Sequence, residues 1–240
     1  MGKIVKKDLK EKVLKLASLF EVSGDWGRVA GNFDGQFISY GPLQWNVGQG
    51  TLRTVLLKAG QETIEKYLGK DFWKALVESN NSLKKYVVAN ILDTSGKVKD
   101  EWIKKFRDLA NTENMKNAFI VGAEPYFENA RKLCVALGFS SERAYALCFD
   151  IAVQNGAPRK DHINEFFNRL KKSPNEYKQE WEKLKLLAIV VADKANPRWR
   201  QNVFSRKLGI AVGRGFANGH RFDLEKDFDI SYTRPWFVET

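Results

Sequence analysis

Glu21, Asp34 and Ser39 form a set whose types and spacing could do chemistry together: two acids thirteen residues apart and a hydroxyl five residues further on. Glycoside hydrolysis asks for such a set, with one protonated acid for the leaving oxygen and one ionised carboxylate as base or nucleophile. Glu21 follows Phe20 on an apolar helix face and suits the proton donor, whereas Asp34, beside Gly35 in a polar turn, suits the ionised partner. Ser39 would hold a water against Asp34. Asp25, next to Trp26, competes with Asp34 for the second role, and Glu124 with Glu128 makes a weaker acid pair. The plain alternative is a solvated helix end at Glu21 and an Asx turn at Asp34. Around them, Gln44, Asn46 and Gln49 could bond sugar hydroxyls or acetamides, with capping and surface polarity as the competing roles. Tyr40 and Trp45 could stack on sugar rings, with core packing as the competing role.

These residues need elements to hold them. Leu9, Val13, Leu16, Ala17 and Phe20 recur at helical spacing, with lysines over most of the remaining surface, so an amphipathic helix delivers Glu21 before it ends near Ser23-Gly24. The glycine-rich stretch 26–32 predicts a loop or ribbon turn, and 36–40 alternates as a short strand would. Pro42 predicts a helix over 41–59, weakened by Gly48 and Gly50. Short helices are then expected over 61–68, 71–79, 82–91 and 99–110, followed by an apolar helical region from 111 to 138 broken at Pro125. Ser141 should cap a helix that runs to Gln154 and stops at Asn155-Gly156-Ala157-Pro158. Helices are expected over 162–170 and 176–193, the second apolar on all sides at L-L-A-I-V-V-A and therefore central. One more follows Pro197, and the tail from Gly213 should wrap the surface. The class is mainly α, with one small ribbon near 34–40.

Composition excludes several functions. At 43% hydrophobic and 29% charged residues the chain is an ordinary globular protein, with no apolar run long enough to cross a membrane and no apolar N-terminal segment of a signal peptide. Cys134 and Cys148 lie in apolar helical surroundings and read as buried free thiols. With only His162 and His220 besides, no metal site and no cofactor are expected. The net charge of +11 points to a polyanionic partner. The sequence shows no helix-turn-helix, aromatic RNA-binding motif or P-loop, so nucleic acid is not the expected partner.

The segment F-E…D-G-Q-F-I-S-Y-G resembles the catalytic region of the lysozyme superfamily, above all the chitosanases and more distantly the phage-type lysozymes. The resemblance implies that Glu21 is the acid ending the first long helix and Asp34 the carboxylate beginning a β-ribbon. Ser39 then stands where those families use a threonine to position water. S-Y-G-P-L-Q-W is similar to the helix start of goose-type lysozymes and lytic transglycosylases. F-D-I-A-V-Q-N-G is similar to an aspartate-bearing helix of chitosanases, and R-Q-N-V-F-S-R to their segment with two arginines six apart. This implies Asp150 and Arg200 as a network supporting the acid, and Gln154 and Asn155 as substrate-binding residues.

The implied fold is a lysozyme-like α+β domain over 1–240, with two helical lobes around a cleft, and a monomer. The implied activity is cleavage of β-1,4 bonds in peptidoglycan or a related amino-sugar polysaccharide, of muramidase or endolysin type and inverting. A chitosanase, a lytic transglycosylase and a non-catalytic wall- or nucleic-acid-binding helical protein are the alternatives. Chitosan is a polycation and an awkward partner for a chain at +11. A phage-derived enzyme would stay in the host cytoplasm until released to the cell wall.

Overall fold

Leu9, Val13, Leu16, Ala17 and Phe20 are buried along one face of the first long helix, as their spacing predicts, and Leu14 joins them. The structure, a computed structural model, describes residues 3–156 and 159–239. The expectations that fall on Met1, Gly2, Ala157 and Pro158 lie outside the described residues. The chain divides into two compact units, one of Glu21–Glu124 and one of Met1–Phe20 with Pro125–Thr240.

The N-terminal elements are strand β1 (Lys3–Val5) and helix α1 (Lys7–Val22), whose last two residues belong to the first of these units. That unit continues through a three-stranded antiparallel sheet, β2 (Val29–Ala30), β3 (Ser39–Tyr40) and β4 (Trp45–Asn46). In its register Ala30 and Asn46 flank Ser39, and Val29 and Trp45 flank Tyr40. The ribbon is therefore wider than residues 34–40, and it replaces the helix expected from Gly41. Gly41 and Gln44 take left-handed φ values of 82° and 53°, which make a tight turn and cannot continue a helix. The helix starts only at α2 (Thr51–Lys58), after left-handed Gly50.

Five helices complete this unit: α3 (Gln61–Leu68), α4 (Lys70–Glu78), α5 (Asn80–Tyr86), α6 (Asp100–Ala110) and α7 (Glu113–Gly122). A single wide π turn, Val87–Ile91, extends α5. Aromatic rings fill the centre, with Tyr40 against both Phe106 and Phe119 and Trp45 stacked on Phe119 at 5.6 Å.

The other unit packs α8 (Glu124–Leu137, from Pro125 onward), α9 (Glu142–Asn155), α10 (Lys160–Lys172), α11 (Glu180–Asp193) and α12 (Arg200–Val212). Ser141 Oγ accepts the Ala144 N–H and caps α9 as its sequence predicts. The apolar run of α11 is buried from Leu184 to Ala192 nearly throughout, which makes it the central helix. Cys134 and Cys148 are free and buried.

The tail departs from expectation, because it is structured. It forms a hairpin, β5 (Arg214–Ala217) with β6 (His220–Asp223), then α13 (Leu224–Phe228) and β7 (Phe237–Glu239), which pairs with β1. Its Trp236 is fully buried, stacks on Tyr145 and donates from Nε1 to the Phe139 carbonyl at 3.0 Å. Burying an indole of this size closes the chain end against the core.

Candidate active site

Glu21 closes α1 and is half-buried. Asp34 and Ser39 lie in the same unit, on the loop and strand that follow. Asp34 is exposed, and its Oδ1 accepts the Gln36 N–H at 3.1 Å, an Asx turn that fixes the carboxylate and leaves Oδ2 towards solvent. Glu21 is the general-acid candidate, and Asp34 a carboxylate of set orientation.

Residues 32–37 are held firmly for a loop. Asn32 Oδ1 accepts the Phe37 N–H at 2.8 Å, and the Asn32 N–H donates to the Gly96 carbonyl at 2.8 Å. Two glycines permit this seating. A Cβ on Gly31 would meet the Gly96 oxygen at 2.4 Å, and one on Gly48 would meet Gln36 Oε1 at 2.3 Å. Phe37 sits at φ 67°, where a bulky side chain is strained by about 1–2 kcal/mol. Such strain persists only where surrounding structure over-determines it.

Ser39 is buried on β3. Asp25 is exposed and engaged locally: its Oδ1 accepts the Gly27 N–H at 2.9 Å, and Arg107 lies 3.9 Å from Oδ2. Glu128 is bound by Arg131 at 2.7 Å, which lowers its pKa and removes it from the acid candidates.

Several substrate-binding expectations are corrected. Tyr40 is fully buried and donates its hydroxyl to the Phe106 carbonyl at 2.8 Å. Burial, with the charge of Asp25, pushes that phenol well up. Trp45 is 4% exposed and stacked on Phe119. Both rings are core because their strands face helices α6 and α7, so neither can stack on a sugar.

Gln44 donates to the Gly41 carbonyl within the β3–β4 turn, and Asn46 Oδ1 accepts the Gln49 N–H in the turn between β4 and α2, so these side chains build turns. Gln49 itself is exposed. Exposed aromatic surface in this unit belongs instead to Phe33, 82% exposed beside Asp34. An apolar residue next to a candidate acid was the sequence signal for it.

In the other unit, Asp150 is fully buried and gathers two cations. Arg206 Nε and Nη2 reach its Oδ1 at 2.7 and 2.6 Å, and Lys207 Nζ reaches Oδ2 at 2.5 Å. Lys207 also donates to Gln154 Oε1 at 2.6 Å. Burial pushes the Asp150 carboxyl up, but the charges and hydrogen bonds of Arg206 and Lys207 outweigh it and hold the group below the usual range.

The expected partner Arg200 is not in this network. It is exposed at the start of α12 and donates to the Asp193 carbonyl at 3.4 Å, because it sits nearly two turns before Arg206. Val203, Arg206, Lys207 and Ile210 share helical spacing and are all buried, a pattern that marks the two cations as inward-facing. The same network grips Phe20, the residue before Glu21 in the chain. The Arg206 guanidinium lies 4.5 Å from its ring centroid, and Asn218 Nδ2 donates to its carbonyl at 3.0 Å.

Among the described residues no group of His, Cys, Asp and Glu is placed to hold a metal ion, and no helix is long and apolar enough to cross a membrane.

No protein-family model and no curated protein matches the sequence. Solved structures do match. The native chitosanase of Bacillus subtilis aligns with a TM-score of 0.59 at 20% identity, covering 92% of this chain and 99% of that one. A glutamate-to-alanine mutant chitosanase from the same organism, complexed with six GlcN, gives 0.60 at 18% identity over 92% and 100%. A GH46 chitosanase of Gynuella sunshinyii with chitotetraose gives 0.53 at 13% identity over 99% and 100%. The chain therefore has the mainly helical, lysozyme-like α+β fold of the chitosanases.

Proposed function

We propose that this protein is a glycoside hydrolase that cleaves β-1,4 bonds of an amino-sugar polysaccharide by general acid–base catalysis. One observation carries the reading: a fold shared with chitosanases has an acid closing its first long helix and a second carboxylate on a rigid turn before β3. Glu21 donates its proton to the glycosidic oxygen as the C–O bond breaks. Asp34 takes a proton from water, whose oxygen forms the new bond at the anomeric carbon, and Ser39 orients that water. Attack from the face opposite the leaving group inverts the anomeric centre. The outer Asp34 oxygen, free of the Asx bond, is the one suited to the water. Arg206, held by Asp150, packs against the ring of Phe20, the residue before Glu21 in the chain.

For the polymer, the net charge of +11 supports an anionic substrate, and peptidoglycan with its acidic substituents is the first choice. Chitosan is the second reading, supported by neighbours that are chitosanases with GlcN or chitotetraose bound.

Digestion of purified peptidoglycan and of chitosan, side by side, tests both. The expected result is soluble fragments with new reducing ends from wild type, a fall of at least 10²–10⁴-fold in Glu21→Gln, and a comparable loss in Asp34→Asn. Anhydro-ended products with an active Asp34→Asn would make it a transglycosylase. No product from either polymer would sink the hydrolase reading and leave a binding protein.

A further inference from the structure

Four helix ends meet at a half-enclosed cavity of about 270 Å³ within the Asp150 unit. Gln154 and Asn155 close α9, Arg159 precedes α10, Lys194 follows α11, and Trp199 precedes α12. Trp199 lines the cavity with 55% of its surface exposed, beside the buried Val191 and Val203. Gln154, Asn155 and Asn196 add three carboxamides, and the Asn155 Oδ1 is buried without a hydrogen-bond partner. An indole face with carboxamides around an apolar floor suits a pyranose ring, which stacks its C–H face and bonds through its hydroxyls.

The charge around the cavity has one sign. Arg159 and Lys194 line it, and Arg198 lies 4.8 Å from the Trp199 ring centroid. Asp161, behind them, binds Arg159 at 2.8 and 3.1 Å and lies 3.9 Å from Lys194, so it offsets one of the three cations. Asp193, at the end of α11, is paired with Arg169. No carboxylate is among the described lining residues. The N-terminal ends of α10 and α12 and the C-terminal ends of α9 and α11 all meet here, so their macrodipoles offset one another and the side-chain cations set the sign. A protonated amine would be repelled here, and an acid drawn in.

We propose that this cavity binds an acidic amino sugar, one carrying a carboxylate or a phosphate, with its ring on Trp199 and its acid group on Arg159 and Lys194. Lacking a carboxylate of its own, the site binds and does not cleave. It stands independently of the hydrolase reading, because a single sugar has no glycosidic bond to break.

The test is isothermal titration calorimetry of the full chain, with the backbone N–H shifts of Asn155 and Ala195 locating the binding in wild type and in every variant. The probes are N-acetylmuramic acid, N-acetylglucosamine 6-phosphate, N-acetylglucosamine, glucosamine and inorganic phosphate. Both acidic sugars are expected to bind about tenfold more tightly than N-acetylglucosamine, with glucosamine weakest. Whichever of the two is tighter identifies carboxylate or phosphate as the source. Trp199→Ala should weaken every sugar by about tenfold, and Trp199→Phe should restore most of that. Arg159→Gln with Lys194→Gln should erase the gap between acidic and neutral sugars. The proposal is overturned if glucosamine binds as well as the acidic sugars, or if affinities are unchanged in these variants. Inorganic phosphate binding as tightly as the sugar phosphate would also overturn it, since that is a simple anion site.

Discussion

Replacing Asp150 with asparagine takes one charge from a buried set of three. Arg206 and Lys207, 1% and 0% exposed, would both lose the carboxylate charge that each contacts. Removing one partner of a buried ion pair costs about 3–5 kcal/mol. Melting entropy of about 2.1 cal/mol/K per residue gives roughly 0.5 kcal/mol/K for the 240-residue chain. Asp150→Asn should therefore lower the melting temperature by about 6–10 °C in scanning calorimetry.

The pH dependence sharpens the test. Burial raises the Asp150 carboxyl and the two cations lower it by more, so its folded pKa lies below the ordinary value. A depressed folded pKa contributes stability that is present above the unfolded value of about 3.9 and lost as pH falls through the folded one. The gap between wild type and variant should be full at pH 7, begin to narrow below about pH 4 and close only as pH falls through the lower folded value. Lys207→Met keeps the hydrogen bond and ion pair of Arg206 with Asp150 and should cost less. A gap under about 1 kcal/mol, or one unchanged at pH 3, would refute the reasoning.

Other perturbations separate positioning from chemistry. Gly48→Ala would drive a Cβ into Gln36 and displace the Asp34 turn, and kcat should fall about 100-fold with little change in KM; wild-type kcat would detach this loop from catalysis. Tyr40→Phe removes the bond to the Phe106 carbonyl and should cost about 1–2 kcal/mol in denaturant melts with KM unchanged. A raised KM at wild-type stability would return Tyr40 to the substrate. Arg200→Gln should leave the melting temperature within about 1–2 °C of wild type, whereas Arg206→Met should lower it by several degrees; equal effects would contradict the assignment of Arg206 to Asp150.

Legibility in the sequence followed local physics. The amphipathic spacing of α1, the Ser141 cap and the all-apolar α11 each depend on neighbours within a few residues, and each was readable. The region after Gly41 was not, because Pro42 permits a helix start and only the left-handed Gly41 and Gln44 decide for a turn. Tyr40 and Trp45 carry polar handles that suit either a sugar or a core. Their placement on paired strands against Phe106 and Phe119 decided for the core. Phe33, flanking Asp34, stayed outside.

By itself the sequence determined a helical protein with an acid at the end of its first helix, a second acid in a glycine-bounded turn and a strong positive charge. Those features are set by residue type and by spacings of a few residues. Only the tertiary structure decided that Arg206 and Lys207, and not Arg200, neutralise Asp150, since partners 56 and 57 residues away are chosen by packing. The same holds for the tail, whose Trp236 finds the Phe139 carbonyl 97 residues back. It holds too for the cavity around Trp199, where four helix ends distant in sequence bring amides and cations to one place. Long-range burial selects among partners that local sequence leaves equivalent, because the cost of an unpaired buried charge or polar group is paid only once the chain has closed around it.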